Sequence, residues 1–159
     1  MEAEELTGTY TYRSFIDRPE PVDSFDRLRF AQLELRLLAQ PDGTLTGALV
    51  FPAPPGSEPL AMDVEGEVLA PSGMTQFGFS GKGRPNTEIA DFHYEYQGIL
   101  LAHWEMGIGQ RPTLAGTVVR AADHGSGASL AKAGQTASFL AVKRDAVVDP
   151  TDPEDENVF

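Results

Sequence analysis

Aromatic side chains recur at alternate positions along several segments of this sequence, a spacing that places rings on one face of a β-strand. The residues of this stripe are Tyr10, Tyr12, Phe77, Phe79, Phe92, Tyr94, Tyr96 and Trp104. Buried tyrosine hydroxyls need hydrogen-bond partners, so several tyrosines on one inward face imply a polar network or a polar ligand. The stripe therefore predicts a mostly apolar cavity with a few oriented polar groups, the usual form of a small-molecule site. The alternative, that the rings simply fill the interior, stays open.

An arginine could add anion recognition to such a cavity, because a guanidinium donates two parallel hydrogen bonds to a carboxylate. Arg111 lies in the segment Gly-Gln-Arg-Pro of residues 109–112, just after the longest predicted strand, where the mouth of a barrel is expected. We therefore expect Arg111, with Arg120 as a second contributor, to bind an anionic ligand. The alternative for Arg111 is a surface ion pair on an acidic protein.

Other chemistry is sparsely represented. His93 and Glu95 share a strand face with Asp91, but that face is the polar one and no established zinc-binding spacing occurs, so no metal site is predicted. The sequence contains no nucleophile motif, phosphate-binding loop or dinucleotide fingerprint, so no cofactor and no catalytic residue is assigned. If the cavity holds a substrate, Tyr94, Glu95 or His103 could exchange a proton with it.

Charge and composition exclude several classes of partner. The 159 residues include 24 acids and 12 bases, which gives a formal net charge of −12. This excess of acids counts against nucleic acid and against anionic membrane surfaces, since both attract lysine and arginine. The absence of cysteine excludes disulfides and thiolate chemistry. The acidic start MEAEEL does not resemble a signal peptide and no apolar run approaches ~20 residues, so a cytoplasmic location is expected.

Composition also divides the chain into a domain and a tail. Residues 1–144 are expected to form one folded domain. Residues 145–159 contain six acids, two prolines and no base. Such a composition cannot offset the entropy cost of ordering, so an acidic, disordered tail is expected there.

Glycine and proline punctuate the chain about every ten residues, which is typical of strands joined by turns. The alternation of apolar and polar residues predicts eight strands and no long helix. Over residues 28–38 the apolar phase shifts, which predicts a strand with a bulge near Ala31, with a short helix as the alternative. The longest strand is predicted over residues 88–104, with Gly98 at a bend or a close contact.

Eight antiparallel strands with one apolar face must bury that face on themselves or on a second sheet when no helix is available. The order and spacing of the strands predict an all-β fold, an eight-stranded antiparallel up-and-down β-barrel. Eight strands leave just enough interior for one small ligand. A Greek-key β-sandwich is the alternative.

Short motifs resemble those of the calycins, the superfamily of lipocalins, fatty-acid-binding proteins and avidins. The opening LTGTY of residues 6–10 is similar to their Gly-x-Trp start, with tyrosine in place of tryptophan. DGTLTG at residues 42–47 and SFLAVK at residues 138–143 resemble avidin segments, and residues 94–120 together with GTYTYRSF resemble small uncharacterised bacterial barrel proteins. The resemblance covers most of residues 6–144 and implies a calycin-like, ligand-binding barrel. It also makes Arg144 the candidate for the arginine that, in lipocalins, stacks over the opening aromatic ring.

Pattern and resemblance together predict a calycin-like binding protein for a small hydrophobic or carboxylated molecule held in an aromatic-lined barrel cavity. Two other functions stay open: a cofactor-free cyclase or isomerase, and a protein-interaction module. Whether the chain is an enzyme is not decided. The expected partner is a small-molecule ligand, with a homodimer through Ile99 and Leu101 as a further hypothesis.

Overall fold

The computed structural model describes residues 3–17, 22–69 and 74–144. The strands are β1 (Gly8–Ile16), β2 (Phe30–Ala39), β3 (Thr44–Val50), β4 (Ala61–Leu69), β5 (Gln76–Gly83), β6 (His93–Leu100), β7 (Thr113–Arg120) and β8 (Thr136–Lys143). Short 3₁₀ turns span Ala3–Leu6, Phe25–Arg27 and Gly127–Ser129. None of the helical turns in these described ranges has the length and apolar character of a membrane-spanning helix. The predicted tail, residues 145–159, lies outside the described residues.

The eight strands form one closed antiparallel sheet in which consecutive strands are neighbours. β1 completes the ring by pairing with β8, from Tyr10 opposite Lys143 to Ile16 opposite Ala137. The backbone amides and carbonyls of the first and last strands therefore find partners within the sheet, as buried backbone groups require. The predicted all-β, eight-stranded up-and-down barrel is confirmed, and the alternative sandwich is wrong.

Side chains alternate between the interior and the outer face along each strand. In β4, Met62 and Val64 are buried, whereas Asp63, Glu65 and Glu67 are exposed. Burying an apolar side chain of this size contributes about 1.5–3 kcal/mol, while an unpaired charge in the interior would cost far more. A one-residue slip would exchange the two faces, so the alternation fixes the register of the barrel.

The bulge predicted near Ala31 is absent, and so is the alternative helix. β2 pairs with β1 in one unbroken register, from Gly8 opposite Leu37 to Phe15 opposite Phe30. The apolar phase changes because Phe30 belongs to an aromatic cluster on the outer face. Its ring lies 6.2 Å from that of Phe15, and the Arg13 guanidinium sits 4.3 Å above it.

The strand predicted over residues 88–104 is also too long, because β6 covers only His93–Leu100. A turn precedes it, in which the Phe92 amide donates to the Ile89 carbonyl. After β6, the Gln110 side-chain amide brackets the backbone of Trp104, accepting from its amide over 2.8 Å and donating to its carbonyl over 2.5 Å. This clamp closes a loop where the sequence suggested continued extension, and it carries Trp104 away from the sheet.

The two ends of the barrel differ. At one end, the 3₁₀ turn Ala3–Leu6 packs against the strands with Leu6 fully buried, and the Tyr10 hydroxyl donates to the Leu6 carbonyl over 2.8 Å. We call this end the closed pole; it also carries the β2–β3, β4–β5 and β6–β7 connections. The opposite end, the open pole, carries the β1–β2, β3–β4, β5–β6 and β7–β8 connections.

Aromatic rings fill the middle of the barrel. Phe79 stacks on Tyr96 with ring centroids 4.8 Å apart, and Tyr12 stacks on Phe139 at 5.3 Å. Phe77 continues the first stack at 5.8 Å from Phe79. Aromatic pairs at these distances add about 0.5–1.5 kcal/mol beyond the burial of their surface.

Gly98 makes room for this aromatic cluster and for the neighbouring strand. A Cβ atom built at Gly98 would lie 2.8 Å from the ring of Phe77 and 2.5 Å from the carbonyl oxygen of Ala115. Cβ atoms do not approach other atoms this closely in folded proteins. The prediction that Gly98 marks a close contact is therefore confirmed.

We predict that Gly98→Ala lowers the free energy of unfolding by about 1–3 kcal/mol, the usual cost of overpacking a filled interior. The matched control is Gly78→Ala on the adjacent strand, where the new Cβ would meet only the Tyr96 carbonyl oxygen at 3.6 Å, an ordinary contact. Urea denaturation of both variants measures the difference. Equal stabilities would contradict the assigned close packing at Gly98.

Candidate small-molecule cavity

A cavity of about 150 Å³ opens inside the barrel at the open pole. It is lined mainly by apolar and aromatic side chains, with a few hydroxyl and amide groups and one arginine. The lining residues are Tyr12, Ser14, Ile16, Ala31, Leu33, Phe51, Met62, Phe92, Tyr94, Tyr96, Val118, Arg120, Gln135, Thr136 and Ala137. All but Thr136 project inward from their strands or lie in the open-pole connections, so this cavity is the part of the interior that the central rings leave unfilled.

Tyrosine hydroxyls form the floor of the cavity. The Tyr12 phenol lies beside the side chains of Ser14 and Tyr96, and its ring centroid is 6.3 Å from that of Tyr96. Burial raises the pKa of Tyr12 to about 12, and burial followed by the neighbouring tyrosines raises the pKa of Tyr96 well above its ordinary value. Both phenols therefore remain neutral at physiological pH and keep their hydrogens for donation.

The rim of the cavity is a hydrogen-bonded group of three side chains. The Tyr94 hydroxyl lies 2.8 Å from His124 Nε2, and Arg120 Nε donates to the same hydroxyl over 3.1 Å. An arginine can only donate, so the Tyr94 oxygen accepts from Arg120, while the direction of the bond between Tyr94 and His124 is set by the tautomer of the imidazole. The ring of Phe92 stacks on the His124 imidazole with centroids 3.9 Å apart.

The environment of His124 favours the neutral imidazole over the protonated one. Burial is the main cause that lowers its pKa below the ordinary 6.5, and the positive charge of Arg120 lowers it further. The carboxylate of Asp91 opposes the shift but does not reverse it. Asp91 also accepts a hydrogen bond from the Gly125 amide over 3.1 Å, which holds the β7–β8 connection beside the rim.

The predicted site residues fall into three groups. Tyr12, Phe92, Tyr94 and Tyr96 line the cavity. Tyr10, Phe77 and Phe79 are buried nearer the closed pole and do not line it. These three rings fill the interior of the barrel, as the alternative interpretation of the aromatic stripe predicted.

Trp104 and Arg111 form the third group, on the β6–β7 connection at the closed pole, far along the barrel axis from the cavity. Trp104 is 81% exposed, so the expectation that it faces the interior is wrong. The reason is the early end of β6, which leaves the last four residues of the predicted strand outside the sheet. Arg111 is exposed and its guanidinium approaches the Lys143 carbonyl at 3.5 Å. The cavity therefore opens at the end of the barrel that holds Arg120, opposite the end at which Arg111 was expected to mark the mouth.

Sequence reasoning undervalued Arg120 and missed His124 and Ser14. Arg120 has the same even-numbered phase as the buried Leu114 and Val118, so the alternation in β7 alone places its side chain inward. Ser14 similarly follows the phase of Tyr12. His124 lies outside the strands and is positioned by a bridge to Ala131, for which the sequence offers no signal.

The polar pair His93 and Glu95, considered above for a metal, lies on the outer face of β6, with His93 Nε2 2.7 Å from a Glu95 oxygen. Ser80 donates to the same carboxylate over 3.0 Å. The described residues include no group of three or more acidic or histidine side chains arranged to hold a metal ion.

The lipocalin-like role suggested for Arg144 is not realised. Arg144 donates to Glu34 over 2.6 Å and to the Thr11 hydroxyl over 3.0 Å, both on the outer face. The ring of Tyr10 points inward, so the wall of the barrel separates the two side chains.

Comparison with known proteins finds no matching family model, no matching curated protein and no matching solved structure.

We predict that acidification destabilises the wild-type protein more than His124→Gln. The pKa of His124 is lower in the folded than in the unfolded chain, so the unfolded chain binds the proton first as the pH falls through 6.5. The free energy of unfolding should decrease from there until the lower folded pKa is passed. Denaturant melts between about pH 7.5 and pH 5 measure this slope.

The control for this experiment is His103→Gln, which removes an exposed histidine from the β6–β7 connection and leaves the rim intact. It should follow the wild-type slope. If His124→Gln also follows that slope, a neutral His124 at the rim is the wrong assignment.

Proposed function

We propose that this barrel binds a small, mostly apolar molecule about the size of a single aromatic ring in the open-pole cavity. The observation that carries the proposal is the cavity of about 150 Å³ among Phe51, Phe92 and Tyr96, with hydroxyl groups at its floor and an arginine at its rim. Sites for small ligands are usually apolar clefts with a small number of oriented polar groups. A calycin-like identity, inferred from the short motifs, belongs to this proposal.

The volume sets the size of the ligand. An apolar cavity of about 150 Å³ is large enough for benzene. Long fatty acyl chains and fused ring systems exceed it, because the stacked rings of Tyr12 and Phe139 and of Phe79 and Tyr96 block the way towards the closed pole. A ligand with one ring or a short branched chain therefore fits, with any polar substituent at the rim.

The polar groups of the cavity would orient this ligand. The neutral phenols of Tyr12 and Tyr96 offer hydrogen bonds at the floor, while Tyr94 and Arg120 do so at the rim. Each hydrogen bond that a ligand forms with these groups contributes about 0.5–1.5 kcal/mol, so a ligand with matching acceptors is selected over a purely aliphatic one.

Binding is tested by titrating the protein with benzamide and following amide chemical shifts in NMR spectra. We predict that benzamide shifts signals of residues around Phe92 and Val118, and that Val118→Phe, which fills the cavity, weakens binding at least about tenfold. Val142→Phe is the matched control, since Val142 is 39% exposed on the outer face of β8. Shifts confined to the outer face, or equal binding by the two variants, would contradict the proposed site.

One observation favours a second candidate function, a cofactor-free enzyme that transfers protons. Tyr94 lines the cavity and its hydroxyl is bonded to a neutral His124, so a proton can pass between a bound molecule and the imidazole through the phenol. Arg120 beside the same oxygen would stabilise negative charge on it.

Acetophenone, a one-ring ketone, is a probe for this candidate. If the pair exchanges protons with a bound ketone, wild-type protein in D₂O accelerates the replacement of the methyl hydrogens by deuterium, which NMR detects. Tyr94→Phe keeps the ring but removes the hydroxyl, so it should lose the acceleration while still binding benzamide. A rate equal to that of buffer would eliminate this candidate and leave the binding proposal intact.

A further inference from the structure

We infer that the ligand of the open-pole cavity carries a carboxylate, which Arg120 binds at the rim while the apolar part rests against the rings inside. This inference rests on the proposed binding function and specifies the chemical class of the ligand. It also moves anion recognition from Arg111, where the sequence suggested it, to the opposite end of the barrel.

Among the described residues, Arg13, Arg29 and Arg120 form no ion pair with a carboxylate, and of these three Arg120 is the one that borders the cavity. Arg27, Arg36, Arg84 and Arg144 each form an ion pair with a carboxylate. Arg120 is half-buried and, within the described part of the chain, has no carboxylate partner. Acids outnumber bases two to one in this protein, so carboxylates are available to pair with surface arginines. An arginine that borders a cavity and has no such partner is therefore better explained by a role in the cavity than by a surface ion pair.

The cavity itself has positive character. Arg120 is the one charged side chain among the described residues that line it. Two acids of neighbouring connections, Asp91 and Asp123, accept hydrogen bonds from the backbone amides of Gly125 and Ala133. Their hydrogen bonds hold the connections at the open pole, and neither carboxylate lies within ion-pair distance of Arg120.

The guanidinium is held in place but not saturated. Nε donates to the Tyr94 hydroxyl and Nη1 to the Lys132 carbonyl, each over 3.1 Å. These bonds fix the plane of the group, and no acceptor for Nη2 occurs among the described residues. An arginine has five N–H donors, so a flat fork remains for two oxygens of a carboxylate.

A carboxylate suits this rim better than a phosphate does. One guanidinium balances one negative charge, whereas a phosphate monoester carries about two at neutral pH and would face a single cation. The ring of Tyr94 lies beneath the guanidinium, 5.7 Å from its carbon to the ring centroid, so the cation is partly shielded from water. Partial shielding strengthens its attraction for an anion.

The experiment compares benzoate with benzamide, which have the same shape but differ in charge. NMR titrations at low ionic strength should show benzoate binding at least about tenfold more tightly than benzamide, the ratio expected for a charge-assisted pair of hydrogen bonds. Arg120→Gln should abolish this preference. Arg120→Lys keeps the charge without the fork and should retain part of it. Arg84→Gln is the control, because it removes an exposed arginine from the same pole and should leave the preference intact.

Each outcome has a distinct meaning. Benzamide that binds as tightly as benzoate overturns the carboxylate inference and leaves the proposed cavity function standing. Failure of both probes to bind overturns both. If Arg120→Gln does not fold, the salt dependence of the wild-type protein decides: benzoate affinity should fall with added salt while benzamide affinity does not. Equal salt dependence of the two probes would overturn the inference.

Discussion

Closure of the sheet by pairing β1 with β8 is the constraint on which the rest of this structure depends. A ring of eight strands has a nearly fixed width, so the volume available to inward side chains is fixed as well. The large rings of Tyr12, Phe79, Tyr96 and Phe139 use the middle of that volume. Smaller residues such as Ser14, Ala31 and Ala137 face inward near the open pole, and the remaining space lies beside them.

The fold is largely predictable from the sequence because a strand with one buried face repeats every two residues. For this reason the alternation alone places Met62 with Val64, and Phe77 with Phe79, on one inward face, where all four are buried. The two errors, a bulge near Ala31 and an overlong sixth strand, have one physical origin. Apolar residues outside the barrel, Phe30 on its outer face and Trp104 in a clamped loop, carry the same hydrophobic signal as interior ones.

The candidate site is predictable in kind but not in place. Alternation tells which face of a strand a residue occupies, whereas the position of a cavity along the barrel axis depends on how the inward side chains of all strands fill the interior. The alternation in β7 therefore places Arg120 on the inward face, but it does not tell that the cavity lies at the end of the barrel that holds Arg120 and not at the end where Arg111 faces solvent. His124 reaches the rim only through the path of the β7–β8 connection, and an isolated bridge such as the one between His124 and Ala131 has no characteristic sequence pattern.

The closed ring also restricts how this protein can meet another chain. Many sheets recruit a partner by adding its strand to a free border, where unpaired amides and carbonyls are available. Each of the eight described strands is paired on both sides, and even β6, with Ile99 on its outer face, lies between β5 and β7. An association through Ile99 and Leu101, which stays a prediction, would have to use side-chain packing. The same holds for amyloid-like stacking, so the native ring protects its own strands from templated aggregation.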